Sequence, residues 1–388
     1  MSHSTLCFHH PLGGHCGADR GSGYGWRIEG LKIRLLDLGT VPYLRSQTIF
    51  HGIAYAMGDS SPDTITLMSP REPYACIGFH QELEKEIDVD YCNKQGIHMM
   101  RREIGGGAVY LDDGQVFYHW IFHPEHLPRQ VEEIFAIYCQ TLVQTYRAIG
   151  IDAEHRPIND ILVRGRKIGG TGAASIGEAT VMAGSLMFDF DFELMARVLK
   201  VPSEKFRDKV YQSLQEYMTT IKRELGEGCD RQEVKDILIQ QCRQTLGVEI
   251  ELGELTDDEQ RAIEELDEQF GSSEWLYQKG SLHQQGMKIR DGVRVVEADY
   301  KAKGGLIRAT ARVHEGYIDD ISLSGDFFFH PPLLLALLEQ ALRGERLEKE
   351  ALSRKIGDFY ATSDAQSPGV EVEDWVTAIM LMRGETAT

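Results

Sequence analysis

Two blocks of residues carry side chains and backbone suited to one piece of chemistry. In the first, Arg101-Arg102 precedes three consecutive glycines, Gly105, Gly106 and Gly107, which run into Ala108-Val109-Tyr110. Glycine lets backbone N–H groups approach an anion closely, and an arginine beside them adds forked, charge-assisted hydrogen bonds. In the second, Asn159-Asp160 opens an apolar run, and Lys167 stands between the turn Arg164-Gly165-Arg166 and the small-residue segment Gly169 to Ala174. A lysine there acts as a point charge for a phosphate or an acyl carboxylate. Taken singly, each feature has a bland reading: a bend between strands, a surface lysine, a turn cap. Their joint occurrence is what points to a site for two anions.

The elements that must position these residues follow from hydrophobic period and breakers. Lys32 to Asp37 reads as a strand and Leu44 to Met57 as a helix, ended by Asp59-Ser60-Ser61-Pro62-Asp63. Thr64 to Met68 and Ala75 to Ile77 read as paired strands, Asp88 to Gln95 as a short helix, and Met99 to Arg102 as a strand entering the glycines. Asp112-Asp113-Gly114 predicts a hairpin between Val109–Leu111 and Val116–Phe122. Val131 to Ile149 is an amphipathic helix closed by Gly150. Strands follow at Ile158–Val163, Lys167–Ser175 and Ala179–Phe188, then a helix from Phe192 to Leu199 capped by Asp191. Strands grouped around helices without regular alternation predict an α+β fold with a mainly antiparallel sheet.

The polar stretch from 202 to 272 reads as a helical connector, its acidic part Glu251 to Glu268 as a solvated face. A smaller unit then shows strands at Val293–Tyr300, Gly304–Val313 and Tyr317–Leu323, followed by helices at Pro331–Leu342 and Lys349–Phe359. The expected division is an N-terminal extension over 1–30, a large domain over 31–272 and an accessory domain over 273–388, since 388 residues exceed the usual single core. Cys7, His9, His10, His15 and Cys16 in the extension have zinc-ligand chemistry, with a flexible tail as the plainer reading.

Composition narrows the function. With 42% hydrophobic and 26% charged residues the chain is an ordinary globular protein. A formal charge of −19 argues against nucleic acid, whose backbone requires a basic surface. No run reaches the roughly eighteen apolar residues of a membrane span, and the first thirty lack a secretory h-region, so a cytoplasmic location is expected. Seven cysteines without tight repeated spacing read as reduced thiols.

The Arg-Arg-x-x-Gly-Gly-Gly-Ala-Val block, the Asn-Asp pair and the Arg-Lys-Ile-x-Gly block resemble the lipoate-protein ligases of the biotin and lipoate ligase superfamily. Cys76-Ile77-Gly78-Phe79-His80-Gln81 and Ala183-Gly184-Ser185-Leu186 extend the resemblance over most of residues 31–200. The unit around Gly304 to Thr310 and Asp319 to Phe328 is similar to the accessory domain of the longer ligases. The resemblance implies activation of lipoate or octanoate by ATP as an acyl-adenylate, then transfer to a lysine of a lipoyl-domain or glycine-cleavage H-type acceptor protein. It implies no tightly bound cofactor, a monomer and no membrane partner.

Carried over residue by residue, the resemblance makes Lys167 the catalytic lysine. It assigns nucleotide and acyl-adenylate contacts to Arg102, Gly105, Gly106, Gly107, Ala108, Val109, Tyr110, Asn159, Asp160, Lys167, Gly170, Thr171 and Gly184. Magnesium is expected with ATP, and Asp160 is the protein group to touch it. Val116, Tyr118, Trp120 and Leu186 read equally as an acyl tunnel or as core, and His119 and His123 as packing residues rather than bases. Glu103 and Ile104 replace small polar residues before the glycines, Gly169-Gly170-Thr171-Gly172 replaces Ser-Gly-Ser-Ala, and Ala183 replaces a histidine. Glu103 is expected to face away from the phosphates or to pair with an arginine. The alternatives are a cysteine-dependent lipoyl or octanoyl transferase, a biotin ligase, and a non-catalytic relative that binds lipoyl proteins.

Overall fold

The computed structural model describes residues 31–279 and 293–383; the cysteine- and histidine-bearing stretch before Leu31 lies outside the described residues. The chain begins with β1 (Lys32–Val41), α1 (Arg45–Tyr55), β2 (Thr64–Pro70) and β3 (Tyr74–Ile77), then α2 (Leu83–Glu86), α3 (Val89–Gln95) and β4 (His98–Arg101). Helix α3 shows why local sequence suffices there: Asp88 accepts from the Tyr91 N–H, and Gly96 at φ 69° ends it left-handed. The chain continues through β5 (Val109–Leu111), β6 (Gln115–Phe122), α4 (Val131–Ala148), β7 (Ala153–Arg156), β8 (Asp160–Val163), β9 (Arg166–Gly170), β10 (Gly172–Ile176) and β11 (Ala179–Met187).

The main sheet has the order β10-β11-β6-β2-β1, with β12 (Glu249–Leu252) on its edge. Strands β2 and β6 are buried at every position, as central strands covered on both faces must be. Two three-stranded sheets, β4-β3-β5 and β7-β8-β9, flank it. Antiparallel pairing predominates, with β1–β2, β1–β12 and β3–β4 parallel.

Three expectations change. Thr64–Met68 and Ala75–Ile77 do not pair: β2 joins β1 and β6, while β3 joins β4 and β5. Nor do Val109–Leu111 and Val116–Phe122 form a hairpin. The Asp-Asp-Gly corner does turn the chain, but it passes from the small sheet to the large one. A Cβ at Gly114 would lie 2.7 Å from the Asp189 carbonyl oxygen, and the Gly114 carbonyl accepts from Phe188 and Asp189 N–H groups. Each strand finds a longer-range partner there, which local turn chemistry does not reveal.

The third change concerns the connector. After α5 (Phe192–Val198), where Asp191 caps by accepting from Leu194 N–H, come α6 (Glu204–Tyr217), α7 (Ile221–Leu225), α8 (Arg231–Leu246), β12, α9 (Asp257–Phe270) and α10 (Ser273–Leu276). Helix α8 packs on α4, α9 packs on α1, and β12 pairs in parallel with β1 from Lys32↔Glu249 to Leu35↔Leu252. These residues complete the large body rather than link it to another.

The C-terminal unit is an antiparallel sheet of β13 (Val293–Ala302), β14 (Gly305–His314) and β15 (Tyr317–Gly325), backed by α11 (Leu334–Leu342), α12 (Lys349–Thr362) and α13 (Val372–Leu381). It has its own core around Trp375, Phe327, Leu338 and Ile356. Helix α13 was not foreseen from the sequence. The unit is fastened over the glycine loop: Phe328 is buried in the core of the large body against Phe135, with ring centroids 5.6 Å apart. Arg308 pairs with Glu86, Lys85 with Glu297, and Ser324 Oγ donates to Glu82 at 2.8 Å.

Candidate active site

A cavity of about 530 Å³ opens between the main sheet, the glycine loop and the turn between β13 and β14. Arg102, Gly105, Gly106, Gly107, Ala108, Val109, Tyr110, Asn159, Asp160, Lys167, Gly170, Thr171 and Gly184 all line it. Residues distant in sequence are thus brought to one place by β4–β5, β8–β9 and β11.

The period of a strand decides which side chains reach the cavity. On β6, Gln115, Phe117 and His119 line it, whereas Val116, Tyr118 and Trp120 do not, and neither does Leu186 on β11. The residues read as tunnel or core are core. The apolar lining falls into two groups, Phe50, Ile104, Phe117, Ala183 and Phe328, which pack with the main core, and Met187, Phe190, Met195 and Met218, which pack with a second cluster. The His119 ring stacks on Phe50 at 4.2 Å, and its Nδ1 lies 2.9 Å from Thr66 Oγ1. Burial, with His51 nearby, pushes its pKa down to about 3, so the imidazole is neutral. Also in the lining, Gln47 donates through Nε2 to Tyr74 Oη at 2.8 Å while its Oε1 is buried with no hydrogen-bond partner among the described residues.

Lys167 Nζ contacts Asp160 Oδ1 at 2.7 Å, and Arg156 holds the other carboxylate oxygen. Burial disfavours the charge on Asp160, but the two cations outweigh it and hold the carboxyl below the usual range. Lys167 lies over Gly170, where a Cβ would come within 2.8 Å of Nζ. Asn159 Nδ2 donates to the Thr171 carbonyl at 2.8 Å, and Thr171 N–H donates back to the Asn159 carbonyl at 2.9 Å. This reciprocal pair ties β8 to the segment after β9.

Several assignments need revision. The Arg102 guanidinium does not stand free: Nη2 donates to the carbonyls of Gly105 and Gly107, each at 2.9 Å, and Nη1 to that of Cys76 at 3.3 Å. It braces the loop and lends its charge from there. Gly106, at φ 88°, donates its N–H to the Phe327 carbonyl at 3.3 Å. One expected anion donor is therefore engaged by the C-terminal unit. Gly78 must be glycine for closeness, since a Cβ would sit 2.0 Å from the Gly106 carbonyl oxygen. Glu103 does face away from the cavity, but its carboxylate accepts from Tyr55 Oη at 2.8 and 2.9 Å rather than from an arginine.

Asp160 stands between two cations. Both of its oxygens are taken by cations, and among the described residues no group of three or more histidine, cysteine, aspartate or glutamate side chains could hold a metal ion. A cage made of protein groups alone is therefore absent among the described residues, and a single carboxylate could serve an ion only together with phosphate oxygens. No cysteine among the described residues lines the cavity. Cys76 and Cys139 are buried, and burial pushes both thiols up, Cys139 to about 12. Lys301, Lys303 and Asp326 in the lining were missed from the sequence, because nothing local marks an accessory-domain turn as part of a distant cavity.

Comparison with known proteins agrees with this geometry. A family model described as the lipoyl protein ligase A/B catalytic domain matches residues 48–243, and one described as the bacterial lipoate protein ligase C-terminus matches residues 296–379. Lipoate-protein ligase A subunit 1 of Thermoplasma acidophilum is 30% identical over 62% of this chain and 95% of its own length. Lipoate–protein ligase 2 of Staphylococcus aureus is 27% identical over 73% of this chain and 82% of its own. Octanoyltransferase LipM of Kyrpidia tusciae is 27% identical over 58% and 91%. Among solved structures, a bipartite lipoate protein ligase from Thermoplasma acidophilum, described with its E2 lipoyl domain, superposes with a TM-score of 0.58 at 26% identity, covering 66% of this chain and all of its own. Plasmodium falciparum LipL1 matches in fold over 90% of this chain and 99% of its own, with a TM-score of 0.67 at 13% identity. Among the described residues no helix is long and apolar enough to cross a membrane. From the assembled cavity and both matched segments together, the chain belongs to the lipoyl protein ligase A/B family, as a ligase with a catalytic domain and a C-terminal domain.

Proposed function

We propose that this protein activates lipoate or octanoate with ATP as an acyl-adenylate and transfers the acyl group to a lysine of a lipoyl-domain acceptor. The observation that carries the reading is a cavity with Lys167 and a braced glycine loop in its wall, two groups of apolar lining residues and no cysteine among its described lining residues. A carboxylate is a poor electrophile, so it attacks the α-phosphorus, pyrophosphate leaves with the electrons of the broken P–O bond, and the mixed anhydride then acylates the acceptor amine. Lys167 belongs where carboxylate and α-phosphate meet, poised to exchange Asp160 for the developing negative charge. The Arg102-braced loop lies against the phosphates, and the neutral His119 end suits the acyl chain. Tyr110, Met187 and Met195 offer the nucleobase an apolar bed. Magnesium would come with the nucleotide as its counter-ion, held by phosphate oxygens rather than by an assembled carboxylate set.

The octanoyltransferases among the relatives make acyl transfer from a carrier the second reading. It requires a reactive thiol at the acyl group, and the described cysteines that approach the cavity are buried and protonated. The two readings part in one assay on a purified lipoyl-domain or H-type acceptor, read by intact mass. Modification with lipoate and ATP, and none with an octanoyl carrier protein in the absence of ATP, is the expected result. The reverse pattern would overturn the ligase reading.

A further inference from the structure

The cavity must hold a triphosphate and a carboxylate, yet the catalytic domain offers little uncommitted positive charge. Its charged lining residues are Arg102, Lys167 and Asp160, a net of one positive charge from two cations and one anion. Lys167 is paired with Asp160 at 2.7 Å, and the Arg102 Nη2 donates to two loop carbonyls. Like charges brought together at low dielectric repel strongly, so an adenylating site requires further cations near the departing phosphates.

The remaining cations come from the other domain. Lys301 lies near the end of β13 and Lys303 in the turn before β14, and both line the cavity that the glycine loop also lines. Lys303 is exposed, and the described residues give it no hydrogen-bond or ion-pair partner. Lys301 Nζ is held loosely, 3.6 Å from Asp326 Oδ2. Asp326 is itself anchored, since its Oδ1 accepts the Leu306 N–H, and it faces Gly107, whose Cβ would lie 3.6 Å from the Asp326 Cβ. The turn is rigid. Gly304 N–H donates to the Gly369 carbonyl at 2.6 Å, and a Cβ at Gly304 would come within 2.2 Å of the Pro368 carbonyl oxygen. A lysine presented from a pinned turn, with no partner among the described residues, in the same cavity as an anion loop is a receptor for phosphate.

We infer that Lys303, assisted by Lys301, binds the β- and γ-phosphates of ATP and stabilises the departing pyrophosphate, so that the C-terminal domain supplies part of the adenylation site. This rests on the ligase reading above. As the carboxylate oxygen bonds to the α-phosphorus and the bond to the β-phosphate bridging oxygen breaks, the electron pair and the charge pass to pyrophosphate, beside Lys303. The second half-reaction, from acyl-adenylate to amine, involves no pyrophosphate and leaves Lys303 idle.

Three proteins decide it: wild type, Lys303→Ala and Lys303→Arg, each assayed for lipoate-dependent ATP–pyrophosphate exchange and for acceptor acylation from chemically prepared lipoyl-adenylate. Loss of one charge-assisted contact predicts about a 10- to 100-fold fall in exchange for Lys303→Ala, with a raised KM for ATP. Lys303→Arg should recover most of it, and transfer from the prepared adenylate should stay within about twofold in all three. Exchange by Lys303→Ala equal to wild type, or an equal loss in both half-reactions, overturns the inference while leaving the ligase reading intact. A wild type that transfers but never exchanges overturns both. Because Lys303 is exposed and has no partner among the described residues, its replacement is expected to leave the thermal midpoint unchanged, which separates a binding defect from a folding one.

Discussion

At the scale of single residues, the glycine loop shows what a motif does and does not disclose. Residue types and spacing were enough to select the side chains that meet at the cavity, because only glycine tolerates the approach of Gly78 to the Gly106 carbonyl. They did not disclose that Arg102 is spent on loop carbonyls or that Phe327 takes the Gly106 N–H, since both depend on partners chosen by the fold. Glu103 is the clearest case. It is turned away from the phosphates as expected, but its partner was not legible: it is buried against Tyr55 rather than paired with an arginine, and burial raises its pKa from 4.5 to about 7 although the Tyr55 hydroxyl opposes this. The folded value exceeds the unfolded one, so folding favours the protonated acid. That stabilisation is complete below about 4.5 and is lost as pH rises through 7. His51 and His119, with pKa values depressed to about 3, work in the opposite sense as pH falls below 6.5. The difference between wild type and Glu103→Gln isolates the carboxyl. In denaturant melts the stability of Glu103→Gln relative to wild type should rise between pH 5 and 8, by about 2 to 3 kcal/mol. A pH-independent difference would show that Glu103 is not held protonated.

At the scale of elements, helices with strong local signals were legible and strand pairing was not. Asp88, Asp191 and the α4 pattern announced their helices, whereas β3 with β5 and β2 with β6 are pairings no local rule selects. Strand β12 escaped notice because four residues of Glu-Ile-Glu-Leu on a sheet edge carry little pattern. Its neighbour α9 shows how the supposed connector supports the site. A capping box of Thr256 and Glu259 starts the helix, and Glu259 also pairs with Arg34 on β1 in a largely buried ion pair. Helix α9 then presses on α1, which carries Gln47 and Phe50 into the cavity. The contact is close enough that a Cβ at Gly52 would lie 2.4 Å from Ile263 Cγ1 and 2.9 Å from the Ile263 backbone nitrogen. Gly52→Ala is therefore predicted to destabilise by about 1 to 3 kcal/mol, despite alanine's better helix propensity. Thermal unfolding measures it, and a stabilised variant would mean that the two helices are not in contact.

At the scale of the whole molecule, a large body and a small one with its own core meet over the cavity. The contact is polar at the rim, through Arg308–Glu86 and Lys85–Glu297, and aromatic at the centre, where His80 stacks against Phe327 with centroids 5.3 Å apart. Both ring nitrogens of His80 are buried without a hydrogen-bond partner among the described residues, and burial lowers its pKa well below the ordinary value. Such a group weakens the seam it sits in. The arrangement of the two bodies was the least legible feature in the sequence, since it depends on loop lengths and on a seam with no periodic signature. It also gives the proposed chemistry its setting: a cavity lined by both bodies, in which acid and nucleotide are proposed to react before any acceptor arrives. The direct test is ATP–pyrophosphate exchange with purified protein, lipoate or octanoate, and no acceptor, comparing wild type with Lys167→Ala. The account predicts acid-dependent exchange in the wild type and a loss of about 100-fold or more in the variant, the scale for removing one charged contact to a reacting phosphate. Absence of exchange from the wild type with either acid would contradict it.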